Sequence, residues 1–487
     1  MSTPLDNKIN DPALIQAKQC LQELNLDKAL TAIEMSLKKR QQDSGSDLSF
    51  YGTLLWCDIL LTKGRFSKDS TFPTLAKYKL VELEALIPQL KNSVAFLQPH
   101  LLMGEMYLQL GENLKAKTVY QDILQMCQKE AHDIGEIQAL NGLTKLALTN
   151  GQIEEALELA NQSLELLIQH TDEAHYWVLV ANYLLQSQIF IHKKDLSQAK
   201  NYAERALQIC EIQNMPEQAI EAHLLLGQIT VTLKENATAI THLLIAKEQS
   251  LRGNHQSFLA STILYIGVVY YQVFHYPKAL ENLNTVVANY QALLTVNQQV
   301  LLLNYLGTAQ LLSYQDEIAI NHFLAAEKLA KKHRNKPALV FCLAFLGVAY
   351  SRREEYNKAL RYAKRVNTLI QEIGDVNGVQ VNLINLGNVH SKLEKYSESI
   401  KLTSRGIAAA KRMKDGLSEI RGYQIMAEIF RKQKAFKSAV MYQMIYTKFY
   451  EDFYQRNDRQ KVLEIEHQFI VKQLEERIKK LESMDKA

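Results

Sequence analysis

The chain has 487 residues, 47% of them hydrophobic and 22% charged, with only 19 Gly and 8 Pro. That balance excludes wholesale disorder and a membrane-embedded chain, and so few turn formers exclude an all-β sandwich or barrel, which needs a turn signal every ~8–12 residues. Net charge is +4, too small for the basic stripe of a dedicated nucleic-acid binder. The excess gathers in residues 411–487, which hold 17 Lys and Arg against 12 Asp and Glu.

Along the chain, small residues recur in pairs twelve positions apart. The first matches are Ala17 with Ala29, Cys57 with Ala76 once a seven-residue insertion is allowed for, Gly104 with Ala116, and Thr144 with Ala156. Ser187 with Ala199 follows, then Gly227, Gly267, Gly307, Gly347 and Gly387 at a strict 40-residue spacing, partnered by Ala239, Ala279, Ala319, Ala359 and Ser399. Ala427 with Ala439 ends the series, giving eleven units. Two antiparallel helices approach closely only where bulky side chains are absent, so each pair predicts the crossing point of a helical hairpin. Aromatic residues open many second helices (Phe66, Tyr276, Tyr356, Tyr396, Phe436), and Tyr107, Tyr270 and Tyr350 lie one helical turn beyond the first small residue, on the same buried face.

Two insertions interrupt the spacing. One spans Ser67–Pro73; the other holds His170 and His175 with Asp172 and Glu173 between them. The histidines are not i, i+4 on a helix and no Cys supports them, so a solvated loop is expected there and no metal site. Cys20, Cys57, Cys127, Cys210 and Cys342 stand far apart without a CxxC pair, and read as reduced core thiols. With no apolar run of signal-peptide length at the N-terminus and no uninterrupted stretch of about 18 apolar residues, a soluble, cytoplasmic protein without membrane contact is expected.

The small position, the aromatic residue and the turn, followed by aromatic-x-x-Ala, as in Leu346-Gly-Val-Ala-Tyr and Tyr356-Asn-Lys-Ala-Leu, resemble the tetratricopeptide repeat family over residues 10–449. The period of 40 exceeds the family's usual ~34. The resemblance implies an all-α, right-handed solenoid whose first helices line a concave groove. The remaining segment, 450–487, reads as a long C-terminal helix with Val471, Leu474, Ile478 and Leu481 spaced as a two-heptad seam. That helix caps the array through Val462, Ile465 and Phe469, pairs two copies of the chain, or does both.

Dinucleotide, phosphate-loop, zinc-protease and serine-hydrolase signatures are missing from the sequence, so no enzyme and no cofactor is expected. First-helix positions one and four or five beyond the small residue are expected to face the groove, together with residues on its margin. They comprise Gln188, Gln228, Tyr271, Asn304, Thr308, Arg352, Asn385, Asn388, Lys392, Gln424 and Arg431, with Tyr265, Tyr305, Phe345, Arg421 and Glu428 around them. Amides there can hold a peptide backbone, and the basic end can take acidic groups. The array running into Tyr454-Gln-Arg-Asn-Asp-Arg-Gln-Lys-Val and a heptad helix also resembles bacterial signalling proteins, in which such arrays precede kinase, cyclase or DNA-binding outputs. Three readings follow: a non-catalytic protein- or peptide-binding scaffold that relays through its C-terminal helix, a sensor segment of a longer signalling protein, or a small-peptide receptor.

Overall fold

The computed structural model describes residues 97–169, 176–253, 255–373, 378–455 and 458–484, with isolated positions before residue 97. Among the described residues there are nineteen α-helices and no strand. They alternate as first and second helices of nine hairpins, followed by one last helix: α1 (Leu97–Leu110), α2 (Asn113–Lys129), α3 (Asp133–Thr149), α4 (Ile153–Gln169), α5 (Tyr176–His192), α6 (Leu196–Ile212), α7 (Pro216–Leu233), α8 (Asn236–Arg252), α9 (Gln256–Gln272), α10 (Tyr276–Asn289), α11 (Val296–Leu312), α12 (Asp316–Lys332), α13 (Lys336–Arg352), α14 (Tyr356–Ile373), α15 (Val379–Lys392), α16 (Tyr396–Arg412), α17 (Gly416–Lys432), α18 (Phe436–Gln455) and α19 (Arg459–Met484). Of the first two expected units, Ala17 is buried, while Ala29, Cys57, Phe66 and Ala76 lie outside the described residues, as do His170 and His175.

Chain contacts divide the protein into two compact units, residues 1–233 with 242–259, and residues 234–241 with 260–487. Each is a stack of hairpins, an all-α solenoid. In unit 1 the core runs through Met103, Met106, Tyr107, Ala116 and Tyr120, then Val180, Ala199, Ala203 and Ala222. In unit 2 it runs through Phe323, Ala326, Leu343, Leu346 and Val366, all fully buried. Cys127, Cys210 and Cys342 are buried and free, and burial pushes their thiols up to about 11, 11 and 12.

The small positions hold the hairpins as expected, with one refinement. A Cβ at Gly104 would lie 2.6 Å from the Tyr120 ring, at Gly227 2.5 Å from Leu243, at Gly267 2.8 Å from Leu283 and at Gly307 2.8 Å from Phe323. The notch on the first helix therefore receives the large side chain sixteen positions on. The small residue twelve on brings the backbones close: Ser187 Oγ donates to the Ala199 carbonyl at 2.9 Å, and Ser399 Oγ to the Gly387 carbonyl at 2.6 Å.

With so few glycines, the hairpin turns are made by other residues. Seven positions beyond each small residue the backbone turns left-handed, at Gly111 and Gly151 but also at Lys194, Lys234, Phe274, Tyr314, Glu354, Glu394 and Lys434, with φ of 60–62° at the seven non-glycine positions. The same bond closes the turns, as from Asp195 N to the Phe190 carbonyl and from Glu355 N to the Tyr350 carbonyl, satisfying carbonyls that the helix end would leave orphaned. The expected aromatic starts of second helices hold at Tyr276, Tyr356, Tyr396 and Phe436. The C-terminal boundary differs: the helix Phe436–Gln455 runs past residue 450, and the last helix spans Arg459–Met484.

Candidate functional site

In unit 1 the residues following the small positions carry matched polar groups. Lys145 Nζ lies 3.2 Å from Glu105 Oε2, between positions 40 apart on α1 and α3. Gln188 on α5 donates to Glu221 Oε1 on α7 at 3.0 Å. Burial raises the Glu221 carboxyl, Lys145 opposes that shift, and Glu105 adds to it. A cavity of about 170 Å³ opens among Leu101 and Glu105 of α1, Tyr120 of α2, Gln138, Asn141 and Lys145 of α3, and Trp177, Val178 and Leu185 of α5. Gly104 and Gly142 make room for the Tyr120 ring. Burial, with the Glu105 carboxylate, holds the Tyr120 phenol far above its ordinary range. Deeper in this unit, His223 and His242 bring their Nδ1 atoms to 3.0 Å, and burial lowers both imidazoles, His223 to about 4.

In unit 2 the first helices present aromatic residues and then cations. Tyr271 meets Tyr305 edge-on at 5.1 Å, and Phe341 lies 4.6 Å from Phe345. Burial raises the phenols of Tyr265, Tyr271 and Tyr305, the last to about 12, so they remain neutral donors. Arg352 pairs with Asp316 at 3.1 Å, donates to the Leu311 carbonyl and lies 4.8 Å over the Tyr314 ring. Lys392 and Lys432 both pair with Glu428, at 3.1 and 3.9 Å. Arg421 differs. Half-buried on α17, it is paired with no carboxylate among the described residues, and burial, then the like charge of Arg352, lowers its guanidinium to about 10.

The expected groove residues separate into three groups. Gln188, Gln228, Tyr271, Arg352 and Asn388 are half-buried, and Lys392, Gln424 and Arg431 are exposed. Asn304, Thr308 and Asn385 are 5%, 1% and 0% exposed, so they do not line an open surface. The Thr308 hydroxyl bonds the Asn304 carbonyl of its own helix at 2.7 Å, and Asn385 packs against Gly347. Burial at equivalent places varies from unit to unit: Thr308 stands one residue after its small position, as the half-buried Gln188, Gln228 and Asn388 do, and Asn385 is sealed where Tyr265, Tyr305 and Phe345 are half-buried. Glu105, Lys145, Glu221 and the cavity were missed, although Glu105 and Lys145 follow Gly104 and Thr144 by the same rule that selected Gln188. Among the described residues no group of three or more His, Cys, Asp or Glu is arranged to hold a metal.

The last helix is tied to an early part of unit 2. Val462 is fully buried, Glu466 pairs with Lys278 of α10, and Arg459 lies near His275. Farther on, Val471, Leu474 and Ile478 are 38%, 54% and 53% exposed; the Leu481 side chain lies outside the described residues. No described helix is long and apolar enough to cross a membrane.

Hairpins built on paired small positions and stacked through their first helices define a class, the tetratricopeptide-repeat solenoid. The Tetratricopeptide repeat family profile matches residues 97–169, and a second profile of the same description matches 180–212; over those residues the chain carries tetratricopeptide repeats. Among solved structures it is similar to a Rap protein complexed with Competence and Sporulation Factor, at 15% identity over 66% of this chain and 98% of that one, with a TM-score of 0.51. It is also similar to the apo form of the quorum sensor NprR from B. thuringiensis, at 11% identity over 72% and 98% of the two chains, with a TM-score of 0.54. At these identities the likeness is one of fold. No curated protein matches the sequence.

Proposed function

We propose that this chain is a non-catalytic regulatory or scaffold module that binds a protein or peptide bearing an acidic group along the first helices of unit 2. The observation that carries the reading is Arg421, a half-buried cation without a carboxylate partner among the described residues and subject to the like charge of Arg352. An incoming carboxylate relieves both the burial penalty and the repulsion, and the guanidinium receives it through two parallel bonds. Arg352, Lys392 and Lys432 already hold carboxylates of the chain, and Arg431 is exposed, so among the described groove residues Arg421 is the half-buried cation left for a ligand. The half-buried tyrosines supply apolar area and neutral donors. The fold adds support: one similar structure is a Rap protein complexed with a factor, another a quorum sensor.

The test is an array of short peptides with and without carboxylates, probed with the full chain. Acidic peptides are retained by the wild type, lost by Arg421→Gln and partly recovered by Arg421→Lys. Equal retention by Arg421→Gln refutes the assignment.

A second reading concerns the C-terminal helix. Its first half is anchored by Val462 and Glu466, while its second half exposes Ile470, Val471, Leu474 and Ile478, an apolar stripe suited to a second copy of the chain or to relaying a signal. Light scattering of the full chain and of Leu474→Glu with Ile478→Glu separates the outcomes: a dimer that dissociates supports pairing, and identical masses remove it.

A further inference from the structure

We infer that the cavity of unit 1 is a binding subsite for a phenol ring, that of a tyrosine side chain or of a free phenolic compound. At about 170 Å³ it is smaller than the ~300–1,000 Å³ of whole small-molecule sites, so it takes one ring rather than an entire ligand. Trp177 and Tyr120 supply aromatic wall, and Leu101, Val178, Ala181 and Leu185 aliphatic wall.

Its polar groups select the ring's substituent. Asn141 is 6% exposed; its Oδ1 accepts from Ser163 Oγ at 2.9 Å and from Asn182 Nδ2 at 3.3 Å. Those bonds orient the amide and leave Nδ2 with no partner among the described residues. One turn earlier on α3, Gln138 Oε1 is buried and also lacks a partner. Positions i and i+3 share a helix face, so a free donor and a free acceptor stand side by side in one aromatic-walled cavity. A hydroxyl on a flat ring answers both: it accepts from Asn141 and donates to Gln138. A bare phenyl ring leaves both unbonded, which is costly in a buried site. The Lys145–Glu105 pair balances its own charge and makes no demand for an ionic group.

This site belongs to unit 1 and Arg421 to unit 2, and the two tests use different ligands and variants, so either can fail without the other. The chain has two Trp, and the full-length Trp56→Phe variant isolates the emission of Trp177. Titration with N-acetyl-L-tyrosinamide, p-cresol and N-acetyl-L-phenylalaninamide is expected to shift that emission saturably for the two phenols, with the phenylalanine compound about tenfold weaker. Gln138→Leu removes the preference for the hydroxyl, and Ala181→Leu fills the cavity and abolishes binding. Neither side chain hydrogen-bonds within the Asn141–Ser163–Asn182 network, and circular dichroism with a thermal melt checks that both variants fold as the wild type does. Tighter binding of the tyrosinamide than of p-cresol assigns the subsite to a peptide residue, and equal binding assigns it to a free phenol; both support the inference. No saturable shift, equal affinity for the phenyl compound, or indifference to Ala181→Leu overturns it.

Discussion

Units 1 and 2 are built from the same hairpin, yet the position six residues before the small contact carries Glu221 in one and Arg421 in the other. Both charges are opposed by burial: the carboxyl is raised and the guanidinium lowered. Their surroundings differ. Glu221 accepts from Gln188, with Lys145 nearby to offset its charge. For Arg421, the charge that adds to the burial penalty is the like charge of Arg352. The repeat dictates the notch, the turn and the core, and leaves the groove-facing positions free. Where the charged side chains on the first helices are paired, as Glu105 with Lys145, no charge is left over, and a half-buried cation without such a pairing invites a ligand.

That contrast can be broken at several levels. The largest effect is expected from Arg421→Glu, which lowers affinity for an acidic peptide by roughly 100-fold, while Glu221→Gln leaves it within about twofold; isothermal titration of the full chain measures both. Equal losses would erase the distinction between the units. Next comes the shared scaffold. Gly307→Val drives a side chain into the Phe323 ring and is expected to cost roughly 1–3 kcal/mol, read as lost hydrogen-exchange protection in α11 and α12 with α3 unchanged.

A third prediction concerns pH. His223 has a folded value of about 4 against an ordinary 6.5, so between these values the unfolded chain holds more protons than the folded one, and stability is lost as pH falls through that window. Exchange protection of α7 and α8 is expected to decline from about pH 6.5 to 4 more steeply than in a variant with both His223 and His242 changed to Leu. A parallel decline would remove the histidine pair as the cause. The smallest effect is at a turn. Glu354 is held at φ 62°, and Glu354→Gly removes the Cβ clash there, raising stability by about 0.5–1 kcal/mol after the entropy of glycine is counted. Chemical denaturation would detect it as a higher midpoint.

The hairpins were legible because their causes are local and periodic. Gly227, Gly267, Gly307, Gly347 and Gly387 mark the notches, and Tyr276, Tyr356, Tyr396 and Phe436 mark where second helices begin. The turns were less legible: Lys194, Tyr314 and Glu354 take a left-handed backbone that their residue types do not announce, and only their common place seven residues after the small position reveals it. The groove was read in part. Gln188 and Asn388 are half-buried as their spacing required, while Asn304, Thr308 and Asn385 are sealed between stacked helices. Burial at these positions depends on how closely neighbouring hairpins approach, and no single hairpin encodes that distance.

Sequence alone determined the all-α hairpin array, because helix packing writes its small and aromatic residues at a regular interval. Tertiary structure decided which polar groups find partners. Lys278 meets Glu466 across 188 positions, Lys145 meets Glu105 one repeat away, Asn141 is left with a free donor beside Trp177, and Arg421 is left without a carboxylate. Charge pairing follows distance in space, and in a stacked array that distance is set by the curvature of many hairpins together.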